Sequence, residues 1–146
     1  MGEAIQHSAG FEPINLPPGH FALDADLDDR LRRDGAAPPR EGDIAHPIFA
    51  FVGGIGGLGV PVGDAIALAG CSIGAGPLLA SCDISIYRPL KVGVTYQIAG
   101  RIAGKTRKPS RRFGAADHLL LSVSIAEGDV RFVDLDLKMI VPVTGS

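Results

Sequence analysis

The sequence predicts an α+β domain in which one buried helix is covered by a curved antiparallel sheet. Residues 46–70 are apolar, with Asp64 as their one acidic interruption, which suits an element buried on every side. From residue 78 onward, apolar and polar residues alternate in successive runs, the signature of strands with one buried face. Turns separate those runs and no helical stretch lies between them, so neighbouring strands run antiparallel.

The elements follow in order. Pro13, Pro17, Pro18 and Gly19 punctuate residues 1–19, which read as an extended arm, and residues 20–146 read as the single folded domain. His20 to Leu23 is a short first strand. Asp24 to Arg33 is a charged turn or short helix, with acids leading and bases trailing as a helix dipole favours. Pro47 suits the first turn of the buried helix, where its missing N–H costs nothing. Ile48, Phe49, Phe51, Val52, Ile55 and Leu58 cover nearly all its sides, and the glycines from Gly53 to Gly59 suit close packing against other backbone. Val62 to Ala69 continues as a second helical piece after Pro61. Ile84 and Ile86, then Val94, Tyr96 and Ile98, then Leu119 to Ile125, then Val133 to Val141 mark the strands. Lys105 to Arg112 reads as a basic loop.

Composition limits the function. The chain has 146 residues, 46% of them hydrophobic and 21% charged, which is one globular domain able to bury its own core. A net charge of −2 gives no overall attraction to nucleic acid or anionic membrane, and with aromatics at 5% and no Trp base stacking is poorly served. Cys71 and Cys82 have no metal-ligand spacing, and no metal is expected; they read as small buried hydrophobes in a reducing compartment. No signal peptide or membrane span is apparent, so a cytoplasmic location is expected.

Gly54-Ile55-Gly56-Gly57-Leu58-Gly59 is a literal G-x-G-x-x-G. With Ile48–Val52 as a strand before it and Asp83 as a downstream acid, it admits a dinucleotide-binding module. The downstream half shows no further βαβ unit, which counts against that reading.

A second set of residues carries a resemblance. Ile44-Ala45-His46 precedes the buried helix, Tyr87-Arg88-Pro89-Leu90-Lys91-Val92-Gly93 forms a turn between strands, and Lys108-Pro109-Ser110-Arg111-Arg112-Phe113-Gly114 precedes a late strand. In this order, over residues 20–142, they resemble the hotdog fold, and within it the MaoC-like enoyl-CoA hydratases and acyl dehydratases. The resemblance implies a dimer that aligns two sheets edge to edge, with itself or with another hotdog subunit. It also implies an acyl-CoA or acyl-carrier thioester as substrate and no permanently bound cofactor. In that family an Asp-x-Asn-Pro-x-His motif handles the water, and the N–H of a glycine after Ile-Ala-His helps hold the thioester oxygen.

Here the first motif corresponds to Asp26-Leu27-Asp28-Asp29-Arg30-Leu31. Asp26 takes the place of the acid, Leu31 that of the histidine, and Pro47, which has no N–H to give, that of the glycine. The resemblance therefore implies a subunit that shapes an acyl tunnel while a partner supplies catalysis. The alternatives are a self-sufficient hydratase or hotdog thioesterase with a rebuilt Asp43/His46 site, and the dinucleotide module above. His20 and His118 are further acid–base candidates, whereas His7 has no motif around it. Lys105, Arg107, Lys108, Arg111 and Arg112 read as a solvated turn or as a clamp for the phosphates of coenzyme A.

Overall fold

The structure is a computed structural model that describes residues 11–71, 77–112 and 114–143. His7, Phe113 and the first ten residues of the expected arm lie outside them. Strand β1 is Ile14–Asn15, β2 Gly19–Leu23, β3 Leu78–Ile86, β4 Val94–Ser110, β5 Gly114–Glu127 and β6 Val130–Pro142; helix α1 is Ala25–Asp34, α2 Phe49–Gly56 and α3 Val62–Leu68.

All pairings are antiparallel, in the order β1-β4-β5-β6-β3, and β2 also pairs with β4. The register aligns the apolar sets seen in the sequence. Ile98 faces Ile125, Ile102 faces Leu121, and Val123 and Leu121 face Leu135 and Leu137. All seven are buried, as are Tyr96, Val133 and Val141. One face of the sheet thus forms a continuous apolar floor, as period-two alternation requires. The phenol of Tyr96 closes the core edge by accepting the Lys91 N–H at 2.7 Å, while its ring meets Phe132 edge-on at 5.1 Å.

Helix α2 lies on this floor, and its glycines set how closely. A Cβ on Gly54 would stand 2.9 Å from a methyl of Leu135, and one on Gly53 would stand 3.0 Å from the Phe21 ring. The helix is shorter than the apolar run: its last turn closes at Gly57, and the chain crosses β2 before α3. At that crossing, backbone meets backbone, and a Cβ on Gly19 would overlap the Gly57 carbonyl oxygen. The glycine run is therefore a close-packing device. Residues 48–52 belong to a helical segment and the sheet is wholly antiparallel, so the strand–loop–helix order of a dinucleotide module is not formed.

Two further expectations change. Lys105–Ser110 is not a loop but the end of the seventeen-residue β4, paired with Gly114–Leu119 of β5. The run is charged because it projects beyond the core, and antiparallel pairing extends it without needing apolar alternation. The extended arm is partly strand: Ile14 and Asn15 pair with Ile102 and Arg101, and Leu16 is buried. Cys71 is buried, Cys82 partly so, and both are free thiols. Among the described residues, no helix is long and apolar enough to cross a membrane.

Gly19→Ala and Gly54→Ala should differ in a thermal melt. At Gly54 a movable methyl receives the new Cβ, and the expected loss is about 1–2 kcal/mol. At Gly19 the obstacle is backbone, so the loss should be larger, with a melting temperature lower by well over 5 °C (~1 kcal/mol moves a domain of this size by about 4 °C).

Candidate functional site at the start of the central helix

Helix α1 falls within the charged stretch Asp24 to Arg33, and Asp24 serves as its N-cap. Asp24 accepts the Asp26 N–H at 2.9 Å, Asp26 and Asp28 occupy the first turn, and Arg32 and Arg33 the last. Asp26 stays on the exposed side of the helix. Two residues on, the Asp28 side chain turns inward and has no exposed surface.

Asp28 joins three pieces of chain. Its Oδ1 accepts the backbone N–H of His46 at 2.7 Å, while its Oδ2 accepts from Arg32 Nε at 2.8 Å and Arg40 Nη1 at 3.1 Å. Arg32 also donates to the carbonyls of Pro38 and Ile44, and Arg40 to that of Gly42 and to Asp29. The two arginines thus fasten residues 38–44 over α1, and the Asp28 carboxylate fastens the start of α2 to the same point. Burial alone would push the Asp28 carboxyl up; the His46 N–H and the two guanidiniums outweigh it and hold it below the ordinary carboxylate value.

The amides that open α2 are all engaged. His46 N–H goes to Asp28, and Pro47 has none. Ile48 N–H is accepted by His46 Nδ1 at 3.1 Å, which leaves Nε2 as the protonated nitrogen of the neutral ring. Phe49 and Ala50 donate to the His46 and Pro47 carbonyls, so the first turn closes on itself. An apolar cavity of about 660 Å³ adjoins this point, lined by Leu27, Leu31, Ala37 and Ile48, with Arg30, Asp34 and His46 also on its wall.

The structure brings His46 to this cavity and leaves Asp26 and Asp43 apart from it. Asp43 is exposed, its carbonyl accepts the Val92 N–H, and among the described residues no hydrogen bond or ion pair joins it to His46. His20 lies in β2, and His118, whose pKa is lowered by burial and by Lys108, lies in β5. Asp28 is the residue that sequence reasoning passed over. The available signal was its i,i+4 spacing to Arg32 and its place three residues before the inward Leu31, obscured by the run of neighbouring acids.

The basic set is elsewhere. β2 pairs with the start of β4, whereas Lys105 to Ser110 are at its far end, so roughly 45 Å of strand separates α1 from Lys108. Lys105 donates to the Ala69 carbonyl at 2.9 Å, and Arg107 forms a two-point pair with buried Asp117 at 2.8 and 3.1 Å. Lys108, Arg111 and Arg112 are exposed. Arg107 holds the Asp117 carboxyl below its usual range. Burial and the neighbouring carboxylate push the Cys71 thiol, 3.3 Å from Asp117, up to about 11, so it is a structural and not a nucleophilic cysteine.

Asp28 and Asp117 are both held below their unfolded values. Their stabilisation is therefore complete above the unfolded carboxylate value of about 4 and fades as pH falls through the folded values. Wild-type protein should lose stability steeply below about pH 4, and Asp28→Asn should show a flatter acid limb in denaturant titrations. At neutral pH Asp28→Ala, which strands two arginines and the His46 amide, should cost about 3 kcal/mol.

No family model and no curated protein matches the sequence. Solved structures do match in shape. The ChsH1–ChsH2 complex of Mycobacterium tuberculosis aligns over 97% of this chain and 90% of its own, with a TM-score of 0.64 and 16% identity. C-terminally truncated HadBC, a (3R)-hydroxyacyl-ACP dehydratase complex from the same organism, aligns over 88% and 94% with a TM-score of 0.57 and 11% identity. A MaoC-like dehydratase from Rhodospirillum rubrum aligns over 92% and 93% with a TM-score of 0.53 and 12% identity. The chain has the hotdog fold, in the form that MaoC-like dehydratases share.

Proposed function

We propose that this chain is the non-catalytic subunit of a heteromeric MaoC-like hydratase or dehydratase, one that holds an acyl-CoA chain while a partner subunit adds or removes water. The occupancy of the α2 amides carries the reading. A thioester oxygen that gains charge needs donors free to meet it at hydrogen-bond distance. Here the His46, Ile48, Phe49 and Ala50 amides already have acceptors, and Pro47 has no N–H. The nearest buried carboxylate, Asp28, has both oxygens committed to structure, so it is a poor proton carrier.

What remains suits binding. The cavity of about 660 Å³ beside His46 falls in the range of small-molecule sites, and its Leu27, Leu31 and Ile48 surfaces favour an alkyl chain. The ChsH1–ChsH2 and HadBC structures are complexes, which supports a second hotdog subunit as partner. Strand β3 leaves one sheet edge open for such pairing.

Purified protein incubated with trans-2-enoyl-CoAs of graded length should hydrate none of them above the buffer rate. Calorimetry should detect binding of the saturated acyl-CoA, and Leu31→Asp should weaken it about tenfold or more. Turnover by the isolated wild-type chain that disappears in His46→Ala would establish a self-sufficient enzyme in place of the accessory subunit.

A further inference from the structure

We propose that the open edge of β3 is built to pair with a strand unlike itself, one that carries a lysine or arginine beside Asp83. The proposal deepens the accessory-subunit reading and rests on it for the nature of the assembly, while its physical basis is the edge alone.

Among the described residues β3 pairs only with β6 and so leaves a row of backbone groups for a further strand. Its two faces make different demands. Ile84 and Ile86 stand opposite Leu135 and Val133, toward the helix side, yet remain 41% and 48% exposed. A strand added there must bring apolar side chains on that face. On the outer face Asp83 stands directly opposite Asp136. Among the described residues Asp83 has no hydrogen bond or ion pair, and Asp136 has only the uncharged Ser122 hydroxyl, at 2.8 Å. Two carboxylates therefore stand side by side at the rim; Lys138, two residues along β6 from Asp136 on the same face, makes no ion pair with either among the described residues.

A second copy would make this worse. Antiparallel self-pairing about Cys82, the midpoint of β3, sets another Asp83 diagonally beside the first, with the Asp136 of each copy behind, at strand spacings of about 4.8 Å. Like charges across neighbouring strands oppose pairing. Lys138 stands opposite Ser81 and would be two strands from the partner's Asp83, about 10 Å away and largely screened. A basic side chain at the same place gains both carboxylates as neighbours.

The probe is the chain itself with one charge reversed. Asp83 is exposed on an edge and faces Asp136, so Asp83→Lys should leave the fold intact and not lower the melting temperature. Isotope-labelled wild type mixed with Asp83→Lys in low salt should give mixed dimers in native mass spectrometry that exceed wild-type homodimers by about tenfold or more. High salt should erase the excess, and Ile84→Lys in both chains should abolish the dimers. Statistical mixing, or a tight wild-type homodimer indifferent to Asp83→Lys, would overturn the proposal. Acyl-CoA binding measured on the same samples separates the two readings: its absence would sink the proposed function and leave the edge preference standing.

Discussion

A carboxylate with no exposed surface stays ionised only where other donors replace its lost hydration. Asp28 meets that condition with one amide and two guanidiniums, each from a different part of the chain. Because the donors come from α1, from the loop after it and from the entrance to α2, the charge fixes all three relative to one another. This knot ties down the entrance to α2, a helix with no charged side chain of its own. A helix of eight residues rich in glycine is marginal by propensity. It persists because one end is tied and its small face lies flat on Leu135 and Val123.

The long strands were readable because their information is local. Alternation in Leu119 to Ile125 and Val133 to Val141 specifies which face is buried whatever the partner is, and every apolar residue in those alternations is buried. The acid-to-base order of α1 and the break at Pro61 were readable for the same reason. The end of β4 was not, because Lys105 to Ser110 owes its strand conformation to pairing with Gly114 to Leu119, and charge is uninformative there. Asp28 escaped for a related reason. Among Asp24, Asp26, Asp28 and Asp29, only the three-dimensional position of Arg40 and the His46 amide distinguishes the buried acid from the solvated ones.

The separation of the two candidate groups is equally non-local. In the sequence, His46 and the basic run are parts of one hypothetical ligand site. In the fold, the length of β4 separates them, and two of the basic residues are already engaged, Lys105 with the carbonyl that ends α3 and the largely exposed Arg107 with Asp117. Density of positive charge in a sequence says little about free charge on a surface when buried acids are available to absorb it.

The amides at a helix N-terminus can stabilise a ligand's charge or satisfy the helix's own start, but one amide does not do both at once. Here the second use is complete. His46 folds its imidazole back onto the Ile48 amide, Asp28 takes the His46 amide, and Pro47 removes the remaining donor. These three features have one sense: each engages or removes a donor at the start of α2 and leaves it less available to a ligand. Restoring a donor by replacing Pro47 alone would leave the neighbouring amides still engaged. The hotdog frame accommodates this arrangement because its stability rests on the apolar floor and the Asp28 knot, neither of which needs an open helix terminus. The groups at this end of α2 are committed to holding the fold together, and that commitment is what the accessory-subunit proposal rests on.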